Sequence, residues 1–142
     1  MDTSEKTLIT VQANINAPII KVWNCWTLPE HIIHWNHASE EWHTPRAEND
    51  LRPGGKFLWR MEARDGSQGF DFEGTFETII THQRIAYSIV DGRKVEITFS
   101  ESGGETNISE IFEAEDTNSI ELQRSGWQAI MNNFKKYVEG NL

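Results

Sequence analysis

The chain has 142 residues and 16.4 kDa, a length suited to one domain over residues 1–142 that buries ~70% of its unfolded surface without a metal or disulfides. Its 13 Lys+Arg against 22 Asp+Glu leave a formal charge of −9, which argues against a nucleic-acid partner, because phosphate backbones are held by Lys and Arg. Six Trp and an aromatic share of 11% argue against disorder; no run nears the ~20 apolar residues of a membrane span, and Met1-Asp-Thr-Ser-Glu-Lys lacks the regions of a signal peptide, so a cytoplasmic protein without membrane insertion is expected.

Thr7, Ile9, Val11, Ala13 and Ile15 alternate with polar neighbours and predict a strand with its odd positions inward. Pro18 fits the first turn of a helix with an apolar stripe of Ile19, Val22, Trp23 and Trp26. Thr27-Leu-Pro-Glu30 reads as a capping box opening a second short helix with Ile32, Ile33 and Trp35. Pro45 and Arg52-Pro-Gly-Gly55 then punctuate the chain, with strands on either side of the turn.

Phe57, Trp59 and Met61 share one strand face, Asp65-Gly66-Ser67 supplies a hairpin turn, and Phe70, Phe72, Gly74, Phe76 and Thr78 set the inner face of the next strand. Gly74 predicts a bend or bulge there. Ile85, Tyr87 and Ile89, then Val95, Ile97 and Phe99, then Ile108, Phe112 and Ala114 continue the run, divided by Asp91-Gly92 and Gly103-Gly104. Asn118 with Glu121 is expected to cap a long helix carrying Ile120, Trp127, Ile130, Met131, Phe134, Tyr137 and Val138, with Gly140 at its end. The order is strand, two short helices, about six strands in hairpin succession and one amphipathic helix. This is an α+β pattern: a curved antiparallel sheet must bury its aromatic face, and the last helix is its cover.

The segments Ala17-Pro-Ile-Ile-Lys-Val-Trp-Asn-Cys-Trp-Thr-Leu-Pro-Glu30 with Trp35, Asp50-Leu-Arg-Pro-Gly-Gly-Lys-Phe57, Gly74-Thr-Phe76, Arg84-Ile-Ala-Tyr87 and Gly126-Trp127, in this order, resemble the activator of heat-shock-protein-ninety ATPase homologue family. That family lies in the START-like (SRPBCC) helix-grip superfamily. The resemblance spans nearly the whole chain, and only the C-terminal domain of the eukaryotic co-chaperones shares it. It implies a sheet wrapped around the C-terminal helix and, between them, a cavity that in many members takes an apolar small molecule. Superfamily members include transporters, cyclases and co-chaperone domains, so fold alone leaves function open.

Trp35, Trp42, Trp59, Phe72, Phe76, Tyr87, Phe99, Trp127 and Met131 fall on or beside inner faces. Their periodicity suits a solid core as well as a cavity lining; the resemblance implies the cavity. Glu110 lies in phase with Ile108 and Phe112, where it is either a polar group of the pocket or is turned outward by a bulge near Ser109 to Ile111. Arg46, Arg60 and Glu62, near the turn, either line a mouth of the pocket or, the preferred reading, are solvated strand residues.

His31, His34, His37 and His43 match no metal-binding spacing, and His82 precedes a strand without an evident partner. Cys25 reads as a small packing residue, the serines sit in no nucleophile setting, no loop suits phosphates, and no metal or cofactor is expected. Three functions remain open. The first is a non-catalytic module holding a lipid-like or polyketide-like apolar ligand. The second is a co-chaperone or stress-response domain whose acidic surface steers a protein partner. The third is a cyclase or dehydratase with Glu110 as acid or base.

Overall fold

The computed structural model describes residues 7–140. The Met1-Asp-Thr-Ser-Glu-Lys opening therefore lies outside the described residues. In chain order the elements are β1 (Leu8–Ile15), α1 (Ile19–Thr27), α2 (Pro29–Trp35), β2 (Trp42–Asn49), β3 (Lys56–Ala63), β4 (Gly69–Ile80), β5 (Arg84–Ile89), β6 (Lys94–Ser102), β7 (Glu105–Glu113) and α3 (Ile120–Glu139). The strands form one antiparallel sheet of order β1-β7-β6-β5-β4-β3-β2. It is a curled half-barrel with α3 in its concave face, the helix-grip α+β fold that the sequence predicts. Because β1 and β2 are opposite edges of the sheet, α1 and α2 carry the chain across its open side.

The alternation in β1 holds from Leu8 on, with Ile9, Val11 and Ile15 buried, Ala13 half-buried and Leu8, Thr10, Gln12 and Asn14 exposed, whereas Thr7 precedes the strand and is exposed. Met131, Phe134 and Val138 of α3 are fully buried against the inner faces of β1 and β5–β7, where Ile85, Ile97, Ile108 and Phe112 complete the core. At the hairpin between β6 and β7, Gly103 and Gly104 take φ of 61° and 83°, a left-handed pair that side chains resist.

Several local expectations are corrected. Thr27 ends α1, and its hydroxyl donates back to the Trp23 carbonyl at 2.8 Å, so no capping box forms; α2 starts with Pro29 in its first turn after Leu28. Pro18 sits one residue before α1, at its N-cap. Ser119, not Asn118, caps α3, accepting from the Leu122 N–H at 3.0 Å, while Asn118 is drawn back to Glu115.

The irregularity in β4 falls between Phe76 and Thr78, not at Gly74, and it puts Ile79 rather than Thr78 opposite inward Ile85. Gly74 pairs in register with Phe57 and Ile89. Its reason is close approach: a Cβ there would lie 2.0 Å from the Ser88 carbonyl oxygen and 2.8 Å from the Phe57 ring. Gly74→Ala is therefore expected to force β4 and β5 apart and to lower stability by roughly 2–3 kcal/mol, read as a lower urea midpoint; an unchanged midpoint would mean that the strands yield freely.

Candidate functional site

Between α3, the α1–α2 pair and the concave face of the sheet, with lining from β3, β4, β5 and β7, lies a cavity of about 170 Å³. Trp26, Ile32, Trp35 and Asn36 close one side; Trp59 and Met61 of β3, Phe70 and Phe72 of β4, Tyr87 of β5 and Glu110 of β7 form the sheet wall; Trp127 and Ile130 of α3 complete it. Six of the residues singled out from the sequence, Trp35, Trp59, Phe72, Tyr87, Glu110 and Trp127, are thus brought together. The other four stand away from it. Phe76 is buried beneath Phe57, Phe99 packs on Trp23 with ring centres 5.1 Å apart, Met131 is sealed in the core, and Trp42 lies at the sheet edge against Phe70.

Sequence reading missed Trp26, Ile32, Asn36, Met61, Phe70 and Ile130 as wall residues. Met61 and Phe70 carried a usable signal, being cross-strand partners in phase with the Trp59 and Phe72 pair. Asn36 carried none: it follows α2, and the Thr44 hydroxyl donates to its carbonyl at 2.6 Å, while its amide lies 3.4 Å from the Met61 sulfur.

The rings are fixed in place. Trp35 donates its indole N–H to the Cys25 carbonyl and Trp59 to the Asn49 side-chain oxygen, each at 2.9 Å. Trp59 and Phe72 stack within 3° of parallel at 5.5 Å, and Trp127 meets Phe72 edge-on at 6.2 Å while stacking on Phe112 at 3.8 Å. Rigid π-surfaces of this kind offer large contact area at small entropic cost.

Glu110 is the polar exception. The register of β7 runs unbroken, with Glu110 opposite Val11 and Ile97, so the bulge alternative does not occur and the side chain points inward, 6% exposed. It makes no hydrogen bond among the described residues, and neither does the Tyr87 hydroxyl beside it. Burial in this apolar setting pushes the Glu110 carboxyl up to about 8. Tyr87 is raised well above the usual phenol range, first by burial and then by Glu110. Burial thus favours the protonated form of both groups, and both face the cavity.

The remaining candidates have structural partners except His37, which is buried with its ring Nδ1 unbonded among the described residues. Arg60 pairs with Glu62 and Asp71, and Arg46 with Glu48. His31 shares a 2.6 Å hydrogen bond with the Tyr137 hydroxyl, His34 stacks on the same ring, and His43 lies 3.8 Å from Glu62. His82 meets the Trp23 ring edge-on at 5.8 Å. Among the described residues no three His, Cys, Asp or Glu converge as metal ligands. Cys25 is buried, and burial raises its thiol pKa, in keeping with a packing role. None of the described helices is long and apolar enough to cross a membrane.

The family model described as activator of Hsp90 ATPase homolog 1-like protein matches residues 16–139. The chain belongs to this family. The solution structure of an activator of Hsp90 ATPase homolog 1-like protein from Aeromonas hydrophila is 41% identical and superposes with a TM-score of 0.89 over 95% of this chain and 94% of that one. A solution structure from Cytophaga hutchinsonii is 53% identical, with a TM-score of 0.81 over 94% and 92% of the two chains. A crystal structure from Nitrosomonas europaea, 18% identical with a TM-score of 0.82 over 99% and 98%, shares the fold. No curated protein matches the chain. Membership in the activator of Hsp90 ATPase homolog 1-like family supports a ligand-binding or co-chaperone-like module in general terms.

Proposed function

We propose that the protein is a cytoplasmic, non-catalytic binding module that holds a compact apolar or aromatic molecule in the cavity between sheet and α3. One observation carries this: an aromatic-walled cavity onto which the Glu110 carboxyl and the Tyr87 hydroxyl open with no hydrogen-bond partner among the described residues. Buried polar groups are ordinarily hydrogen-bonded, so such a pair at a cavity wall points to an external partner.

Volume sets the ligand's size. The cavity, about 170 Å³, is close to the ~150 Å³ that accepts benzene in an engineered core and well under the ~300 Å³ of a usual small-molecule site. One ring with a short substituent fits; a lipid chain or a fused polyketide requires the half-exposed Phe70 or α3 to give way. A ring-sized ligand at a hundred times its Kd should add about 2.7 kcal/mol and raise Tm by roughly 5–10 °C. It should also shift tryptophan emission, since four Trp line the wall. Trp127→Ala should shrink both responses. A panel of indoles, phenols and monocyclic amines that moves neither Tm nor emission would remove this reading.

A second reading, acid–base catalysis by Glu110, is favoured by the carboxyl's place on the cavity wall, where burial favours its protonated form. It requires that Glu110→Gln abolish turnover while leaving ligand affinity in place.

A further inference from the structure

Resting on the reading that the cavity takes a ligand, we propose that the ligand is a small organic ammonium ion, seated against the aromatic rings of the wall with the Glu110 carboxylate as its counter-ion. The wall combines the two elements of an ammonium receptor. Trp59, Phe72, Tyr87 and Trp127 supply rings whose faces carry negative potential, and cations bind such faces most strongly where water is excluded. Among the described residues, Glu110 is the ionisable acid of the wall, and no Lys, Arg or His there neutralises it.

The groups packed around Glu110 add no competing charge. Its cross-strand partners Val11 and Ile97 are apolar, α3 contributes Trp127 and Ile130, α2 contributes Ile32 and Trp35, and Tyr87 from β5 is the other titratable group of the wall. Arg93, which acts on Tyr87, is itself tied to Asp91 at 2.8 Å. The overall charge of −9 draws cations toward the molecule.

A neutral ligand accounts less well for this residue. A carbonyl or ether needs only a hydrogen-bond donor, which Gln or Thr supplies without a buried ionisable group. Negative charge is what a carboxyl alone provides. With a carboxyl pKa of about 8 the empty site is mostly protonated at pH 7, and a bound cation expels that proton. The apparent affinity therefore scales with the ionised fraction, about a tenth at pH 7 and about nine-tenths at pH 9.

The test uses the full chain titrated calorimetrically, and by shifts of its indole NMR signals, with choline and with dimethylbutanol, its uncharged form carrying carbon in place of nitrogen. Choline is expected to bind about tenfold more tightly at pH 9 than at pH 7 and to release about 0.9 proton per molecule at pH 7. Dimethylbutanol is expected to bind without proton release at either pH. Glu110→Gln, neutral and of the same shape as the protonated side chain, is expected to erase the preference for choline while still admitting dimethylbutanol. If dimethylbutanol binds the wild-type protein as tightly as choline at both pH values, the ammonium assignment is overturned and the ligand cavity stands. If neither molecule moves an indole signal and the ring-sized panel also fails, both are overturned.

Discussion

Phe134→Ala is expected to lower the stability of the protein by about 3–5 kcal/mol, a large share of the ~5–15 kcal/mol that holds a typical domain together. Phe134 is fully buried on α3, and its ring meets Trp26 and Trp35 edge-to-face, with both centroid distances 4.8 Å. Removing it deletes the transfer energy of a phenyl group, leaves a void under two helices and breaks two aromatic contacts, each worth roughly 0.5–1.5 kcal/mol beyond area burial. Trp26 and Trp35 are also wall residues of the cavity, so the loss reaches the candidate site: both indoles gain room to turn, and ring-sized ligands should bind more weakly and less selectively. Urea denaturation measures the first effect and tryptophan emission with ligand the second. A loss under about 1 kcal/mol would mean that α3 is not seated on α1 and α2 as described.

The helix-grip architecture was legible in the sequence because hydrophobic period and turn chemistry report directly on elements and their faces. Ile9, Val11 and Ile15, or Trp59 and Phe72, could be assigned inward from alternation alone. Position along α3 was not legible. Phe99 and Trp59 share the inner face, yet Phe99 packs with Trp23 whereas Trp59 borders the void beside Trp127, and no periodicity separates the two. Glu110 shows the same boundary from the other side. Its phase placed it inward, but only the unbroken pairing with Val11 and Ile97 removed the bulge that would have turned it out.

The errors at Thr27 and Thr78 have a common origin. Both are choices between neighbouring hydrogen-bond partners, settled by where α1 ends and where β4 slips by a residue, and local pattern is nearly indifferent to each.

Glu110→Gln is expected to make the protein more stable at neutral and alkaline pH, by about 3 kcal/mol at pH 7 and about 5 kcal/mol at pH 9, with little change at pH 4. The sign follows from the proton inventory. The folded carboxyl titrates at about 8 against an ordinary 4.5, so below pH 4.5 both folded and unfolded chains hold the proton and the side chain contributes no pH dependence. Between these values the unfolded chain gives up its proton while the folded one keeps it, and each pH unit removes about 1.4 kcal/mol of stability until the folded carboxyl also ionises. Glutamine keeps the shape and the neutrality of the protonated acid and has nothing to lose as pH rises. Urea midpoints of the two proteins from pH 4 to pH 9 isolate this contribution, since every other titrating group is common to both and cancels in the difference. A constant difference across that range, or a variant less stable throughout, would show that the carboxylate has a partner in solution and is not held neutral by burial. An acid that weakens its own fold at pH 7 is the kind of residue retained where binding, not stability, sets the requirement. The substitution that strengthens the fold should therefore be the one that costs the cavity its discrimination between a cation and its neutral isostere.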